Sequence, residues 1–365
     1  MRVLGNGCLR MRDFFHWRPV WIGVCILCLG VGQCSMIGTA AQATGAQTSP
    51  YGSYSDIIRV NTNLVTVPVS VTDSNGNIVT NLDSQDFLLE EDGMPETISK
   101  IAEAGQSPLR LALLFDLSGS VKSRFHFEQL AATSFLEKVL KPGDTVSIIT
   151  FSDTPHVRLR ASGSISEALK VLSDFEPTEG PTAFFDAVVL SANLLRQSAE
   201  LETRLSEIAL SDGEDNKSNH NFSDAMQEVQ HSDAIFYSIN PSGASVRLNE
   251  ISRRGQSDLS TLANETGGNA FVSDNIDDLN DIFSRIAVEL RAQYLLSYYS
   301  TNSQPDGKFR QISVSIPKRP DLRIRTRRGY YATRYKEASN RITESPASEA
   351  PMFGSIENKP PSLPR

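Results

Sequence analysis

Leu111-Ala112-Leu113-Leu114-Phe115-Asp116-Leu117-Ser118-Gly119-Ser120 is the stretch that decides the fold. Its first five residues are apolar without alternation, the pattern of a strand covered on both faces, as in a parallel sheet between helices. The next five place one carboxylate and two hydroxyls at the carboxyl end of that strand, where open α/β sheets bind their ligands. Oxygen donors of this kind suit a hard divalent cation such as Mg²⁺, which takes octahedral oxygen coordination and keeps several waters. Taken alone, the same residues also describe a Ser/Gly turn in which Asp116 caps the following helix.

Outward from this stretch, buried strands alternate with amphipathic helices as far as about residue 290. Strands are expected at 110–116, 145–151, 206–211, 234–239 and 270–272. Helices are expected near 125–140, 165–174, 184–197, 223–229, 258–265 and 276–294. In the last of these Leu279, Ile282, Phe283, Ile286, Ala287 and Leu290 form one apolar stripe, and Gly143-Asp144 and Gly267-Gly268 supply helix stops. Alternation of this kind predicts a doubly wound, mostly parallel α/β sheet of Rossmann-like type.

Two later segments fall at the ends of such strands and helices: Gly180-Pro181-Thr182-Ala183-Phe184-Phe185-Asp186-Ala187, and Ile208-Ala209-Leu210-Ser211-Asp212-Gly213-Glu214-Asp215. With Asp116-Leu117-Ser118-Gly119-Ser120 before them, their order resembles the von Willebrand factor A domain. The metal-ion-dependent adhesion site of that family is built from Asp-x-Ser-x-Ser, a Thr and an Asp on three loops. The resemblance implies a metal site of Asp116, Ser118, Ser120, Thr182 and Asp212. In it the three hydroxyls coordinate the cation directly and the two carboxylates hold coordinated waters. It also implies Mg²⁺ as the ion, with Mn²⁺ or Ca²⁺ as alternatives and no small-molecule cofactor. An open position would be filled by an Asp or Glu of a protein partner. Pro181 stands where a second Gly is common and Val121 where Met is frequent, and neither change removes a ligand.

The segments on either side read as strands. Val65, Val67, Val69 and Val71 share one face of a period-two run in which Pro68 implies an edge or bulged strand. A turn at 73–77, a return at Ile78-Val79 and a strand near 87–93 follow. Beyond Gln293, runs at 294–299, 312–316 and 322–327 alternate again. Neither flank has enough strands to be stable alone, so a small antiparallel β-sandwich is expected, with the α/β domain inserted in it or flanked by it. With Asp306-Gly307-Lys308-Phe309-Arg310 and Arg328-Gly329-Tyr330-Tyr331, the arrangement is similar to a group of exported bacterial proteins related to the von Willebrand factor A domain. The expected boundaries are 58–106 for the first β-region, 107–292 for the α/β domain and 293–336 for the second β-region. The Pro-, Ser- and Glu-rich residues 337–365 are expected to be disordered.

At the start, Arg2, Arg10, Arg12 and Arg18 precede an apolar run from Val20 to Gly32, and Ala41-Gln42-Ala43 follows as a small-x-small site. This reads as a signal peptide over 1–43, with a linker at 44–57 and export to the periplasm or the exterior. An uncleaved inner-membrane anchor over 20–38 is the alternative, and lipidation at Cys34 fits less well because Gln33 precedes it. Cys8, Cys25, Cys28 and Cys34 are the chain's four cysteines, so the exported part has no disulfide and no thiolate zinc site. Loss of four Arg and Asp13 moves the net charge from −8 to −11, which argues against nucleic acid as a partner. Association with the cell envelope is left open.

An enzyme is the competing class. Asp116 has the place of a phosphoryl-accepting nucleophile, but Ser118 stands where such phosphatases carry a second Asp, and no Gly-x-Ser-x-Gly elbow is present. His16, His126, His156, His220 and His231 form no metal-binding spacing. Glu214 and Asp215 read as a solvated acidic loop or as further cation ligands. Arg323, Arg325, Arg327 and Arg328 read as the polar face of an edge strand or as a contact for an anionic envelope partner. The sequence thus predicts a binding module without catalysis.

Overall fold

The structure, a computed structural model, describes residues 64–198, 203–241, 250–273 and 275–333. The expectations for 1–43, 44–57 and 337–365 lie outside these. In chain order the described elements begin with β1 (Leu64–Thr72), β2 (Leu88–Glu91), β3 (Met94–Glu96), β4 (Ile98–Glu103) and β5 (Leu109–Asp116). Next come α1 (Phe125–Val139), β6 (Thr145–Phe151), β7 (Pro155–Ser162), α2 (Ile165–Ser173), α3 (Phe184–Ser198), β8 (Arg204–Leu210) and α4 (Phe222–Ser232). The chain continues through β9 (Ile235–Asn240), α5 (Glu250–Thr266), β10 (Ala270–Val272), α6 (Ile276–Ala292), β11 (Tyr294–Tyr299), β12 (Phe309–Ser315), β13 (Arg323–Thr326) and β14 (Gly329–Tyr331).

The six-stranded sheet has the order β10-β9-β8-β5-β6-β7. Every pairing in it is parallel except the outermost, β6 with β7. Leu111, Leu113 and Phe115 face one core with residues of α1, α2 and α6. Ala112 and Leu114 face a second core with residues of α3, α4 and α5. Burial on both faces explains why β5 reads as an unbroken apolar run, and the doubly wound architecture is as expected. The chain leaves β5 for β6 on one side and later returns to β8 on the other. The carboxyl end of β5 is therefore the topological switch point.

Strands of the two flanks share two antiparallel sheets, β13-β1-β11-β4 and β14-β12-β2-β3. Val65, Val67, Val69 and Val71 of β1 pack with Leu89 of β2, Leu296 and Tyr298 of β11 and Ile312 of β12 in one core. β1 is not an edge strand, which corrects the expectation from Pro68. It pairs with β11 over Leu64–Val69 and with β13 over Val69–Thr72. Pro68 sits where the β13 ladder has ended, so its missing N–H removes no ladder bond, and its carbonyl accepts from the Thr326 hydroxyl at 3.0 Å.

Three further differences have local causes. β7 was not expected, although Val157 and Leu159 alternate with His156, Arg158 and Arg160; it is an eight-residue antiparallel edge strand after a turn at 152–154. α5 begins eight residues before the expected 258, because a helix covered on one side tolerates the polar Ser252-Arg253-Arg254 start. The arginine run is built into the fold. Arg325 donates to the Gly268 carbonyl and to Glu289, and Arg327 bonds Asp233 and the Thr66 carbonyl while only 7% exposed. These side chains tie β13 to the helices of the α/β domain, which leaves the envelope-contact reading without its two central arginines. No helix of the described residues is long and apolar enough to cross a membrane.

Candidate metal centre

Three loops meet at the carboxyl edge of the parallel sheet. The first leaves β5 at Asp116, the second precedes α3 at Thr182, and the third leaves β8 at Asp212. Asp116 is fully buried, its Oδ1 accepts from the Ser118 N–H at 2.9 Å, and its Oδ2 accepts from the Ser211 hydroxyl at 2.7 Å. The Ser118 and Ser120 hydroxyls are 3.1 Å apart, and Asp212 Oδ1 accepts from the Glu214 N–H at 3.1 Å. Ser118, Thr182 and Asp212 are buried, while Ser120 is exposed at the mouth.

Thr182 joins through its backbone. Its N–H donates to Asn216 Oδ1 at 2.9 Å, and its carbonyl accepts from the N–H groups of Asn216 at 3.0 Å and Lys217 at 3.2 Å. The second loop is also fastened to the first, since the Thr178 N–H and hydroxyl both donate to the Leu117 carbonyl, at 2.6 and 3.0 Å. Among the described residues no hydrogen bond joins the Thr182 hydroxyl to the other four side chains. The five expected residues thus stand on three loops that are bonded to one another.

Burial pushes the Asp116 carboxyl up to about 6, against the pull of its bonds from Ser118 and Ser211, and Asp212 adds to the rise. Asp212 is raised by burial too. No basic group figures among the main influences on either. Below them Glu128, one turn into α1, is fully buried with neither oxygen hydrogen-bonded; burial and then the fields of Asp116 and Asp212 push it up to about 8. Negative charge buried without a cation, beside paired hydroxyls, is what an oxygen-binding divalent ion would neutralise. The donor set therefore fits such an ion. No group of three or more His, Cys, Asp or Glu placed to hold a metal ion exists among the described residues, so an ion here would depend on the hydroxyls.

Residues outside the expected five hold the loops in place. Ser211 bridges loops one and three, because its hydroxyl also accepts from the Gly213 N–H at 3.1 Å. Asp215 is neither a solvated acid nor a free ligand. Its Oδ2 accepts from the Phe185 N–H at 3.1 Å and the Ser218 hydroxyl at 2.5 Å, which caps the first turn of α3. His220 lies against Asp186, Nδ1 to Oδ1 2.7 Å, in the same cross-brace. Asn and Ser after an acidic turn are common loop residues, so their spacing alone could not announce these bonds.

The third loop also needs two glycines. Gly213 has φ +75°, and a Cβ there would stand 2.6 Å from the Gly255 carbonyl oxygen of α5; a Cβ on Gly255 would stand 2.6 Å from the Gly213 carbonyl carbon. Backbone lies against backbone, so neither side can yield by rotating a side chain. Gly255→Ala is expected to cost about 1–3 kcal/mol by overpacking and to shift the Asp212 loop. Urea unfolding reads this as a lower midpoint, and an unchanged midpoint would contradict the close approach.

The family model of the von Willebrand factor type A domain matches residues 111–285. The matched segment, with its doubly wound sheet and three-loop edge, is similar to that family. No curated protein matches the chain. Among solved structures, the PilB minor pilin from Streptococcus sanguinis is 14% identical with TM-score 0.41, over 52% of this chain and 62% of that one. A von Willebrand factor type A protein from Catenulispora acidiphila is 14% identical with TM-score 0.42, over 64% and 51%. Proximal thread matrix protein 1 from the mussel byssus, with a zinc-occupied MIDAS motif, is 16% identical with TM-score 0.44, over 55% and 50%. The match thus spans less than two thirds of each of these proteins.

Proposed function

We propose that this chain is an exported module that binds a protein partner through a divalent cation, with Mg²⁺ the ion of choice. The observation that carries the reading is the pair of buried carboxylates, Asp116 and Asp212, on the loops that carry the Ser118 and Ser120 hydroxyls, with no ion pair to a basic side chain among the described residues. Ser118, Ser120 and Thr182 would hold the ion by their hydroxyls, and Asp116 and Asp212 would hold its waters. The bound ion supplies an electrophilic position that a partner's Asp or Glu can occupy. Because the donors nearest the ion are neutral, most of its charge remains to attract that carboxylate. Export rests on the arginine-led apolar run and the Ala41-Gln42-Ala43 site.

The geometry gives less support to Asp116 as a nucleophile. Both its oxygens are occupied by hydrogen bonds and the side chain has no exposed surface, which suits an anchor for the first loop. Titration calorimetry tests the proposal. The wild type is expected to bind Mg²⁺ with modest affinity, and Asp116→Ala to lose about 100-fold or more, at the upper end of what second-layer metal partners contribute. Equal binding by the two proteins would refute the assignment. A pull-down from envelope extract should then recover a partner with Mg²⁺ and lose it with chelator.

A further inference from the structure

We propose that Asn216 is a positioning residue for the cation site: it sets where the Thr182 hydroxyl stands. The inference rests on the reading of the five residues as a metal centre and assigns the third loop a second task there, beyond supplying Asp212.

Thr182 lies in a segment without regular structure, between Pro181 and the first turn of α3. Nothing in its own segment fixes its backbone. Asn216 does so from both sides, since its Oδ1 accepts from the Thr182 N–H and its own N–H donates to the Thr182 carbonyl, with Lys217 adding a second donor. A residue held at both its peptide groups keeps only χ1 to choose, and Thr is stiff at χ1 because it is branched at Cβ. The following peptide is held as well, since the Ala183 N–H donates to the Ser152 carbonyl at 2.6 Å, which leaves the Asn216 side chain as the group that fixes the Thr182 N–H and with it the direction from which the hydroxyl projects.

The clamp is part of a wider brace. Asp215 accepts from the Phe185 N–H, the Ser218 hydroxyl accepts from the Asp186 N–H at 3.0 Å, and Asp186 in return accepts from the N–H groups of Asn219 and His220 at 3.1 and 2.9 Å. The first turn of α3 and the loop from Asp212 onward are thus bonded into one piece. Thr182, which would meet the ion, and Asp212, which would hold its waters, belong to that piece, and Asn216 bonds Thr182 directly. Asn216 is itself exposed, so its replacement leaves the hydrophobic cores intact.

Mg²⁺ titration of the full chain tests this with Asn216→Ala, Thr182→Val, the double variant and Asn216→Asp, each compared with wild type and each with its metal-free unfolding midpoint. Asn216→Ala is expected to weaken Mg²⁺ binding about tenfold, and Thr182→Val at least as much. If Asn216 acts through Thr182, the double variant binds no worse than Thr182→Val alone, a non-additivity that general destabilisation would not produce. Asn216→Asp keeps the acceptor for the Thr182 N–H and is expected to retain wild-type affinity. Additive losses in the double variant, or wild-type affinity in Asn216→Ala, overturn the proposal while leaving the metal site standing. A wild type that binds no Mg²⁺ overturns both. Should Asn216→Ala not fold, Asn216→Ser, whose oxygen falls short of Thr182, carries the same comparison.

Discussion

A chain ending at Gln293 is expected to lose its cooperative fold and to aggregate. Truncation removes β11 and β13, the two neighbours of β1, and uncovers Val65, Val67, Val69 and Val71, all now buried. At about 1.5–3 kcal/mol for each fully buried side chain, this loss is on the order of 6 kcal/mol or more, comparable to the whole stability of many domains. Polar losses add to it. Glu91, only 3% exposed, accepts from the Tyr298, Ser300 and Tyr330 hydroxyls and would lose all three. Glu289, whose Oε1 accepts from Ser70 at 2.9 Å and Tyr237 at 2.8 Å, would lose Arg325. Size-exclusion chromatography and urea unfolding decide the matter: a monomer with a sharp transition after truncation would show that the first flank does not need the second.

Glu207→Gln is expected to stabilise the protein at alkaline pH and to do little near pH 4.5. Glu207 lies in the middle of β8, fully buried, with neither oxygen hydrogen-bonded; the neighbouring Ser191 hydroxyl already donates to the Val188 carbonyl. Burial pushes its carboxyl from 4.5 up to about 8. The folded state therefore holds a proton there that the unfolded chain releases at lower pH. Stability from this group is complete below about pH 4.5, falls as pH rises from 4.5 to 8, and is then lost. At 1.36 kcal/mol per unit the loss is at most about 5 kcal/mol. Gln carries no charge, so the variant's midpoint should fall less over that window than the wild type's, the remaining fall coming from groups such as Glu128 and Asp116 that burial also raises. Urea midpoints at pH 5 and pH 8 for both proteins test this; parallel pH dependence would show that Glu207 is solvated or paired in the native state.

The contrast between Glu207 and the three loops at the edge of the sheet shows what a sequence exposes. Asp116, Ser118 and Ser120 are legible because one short turn holds them at fixed spacing after a strand with a clear pattern. Thr182 and Asp212 are legible because each opens or closes an element whose periodicity is strong. Glu207 and Glu128 are not: each interrupts an apolar face by a single polar residue, and a lone Glu in such a stripe usually marks the solvent side. Asn216 and Ser211 are hidden for another reason, since their partners, Thr182 and Asp116, lie 34 and 95 residues away.

Sequence alone determined the doubly wound sheet and placed three polar loops at the ends of its elements, because hydrophobic periodicity and turn chemistry act within a few residues. Tertiary structure decided the rest. Pro68 lies in an interior strand because the β13 ladder stops just short of it, and Arg325 and Arg327 are structural ties because helices of the α/β domain bring Glu289 and Asp233 to meet them. The backbone contact of Gly213 with Gly255 and the hold of Asn216 on Thr182 were likewise fixed only when distant segments packed. Hydrogen bonds, ion pairs and close contacts depend on distance in space, and separation along the chain carries almost none of that information.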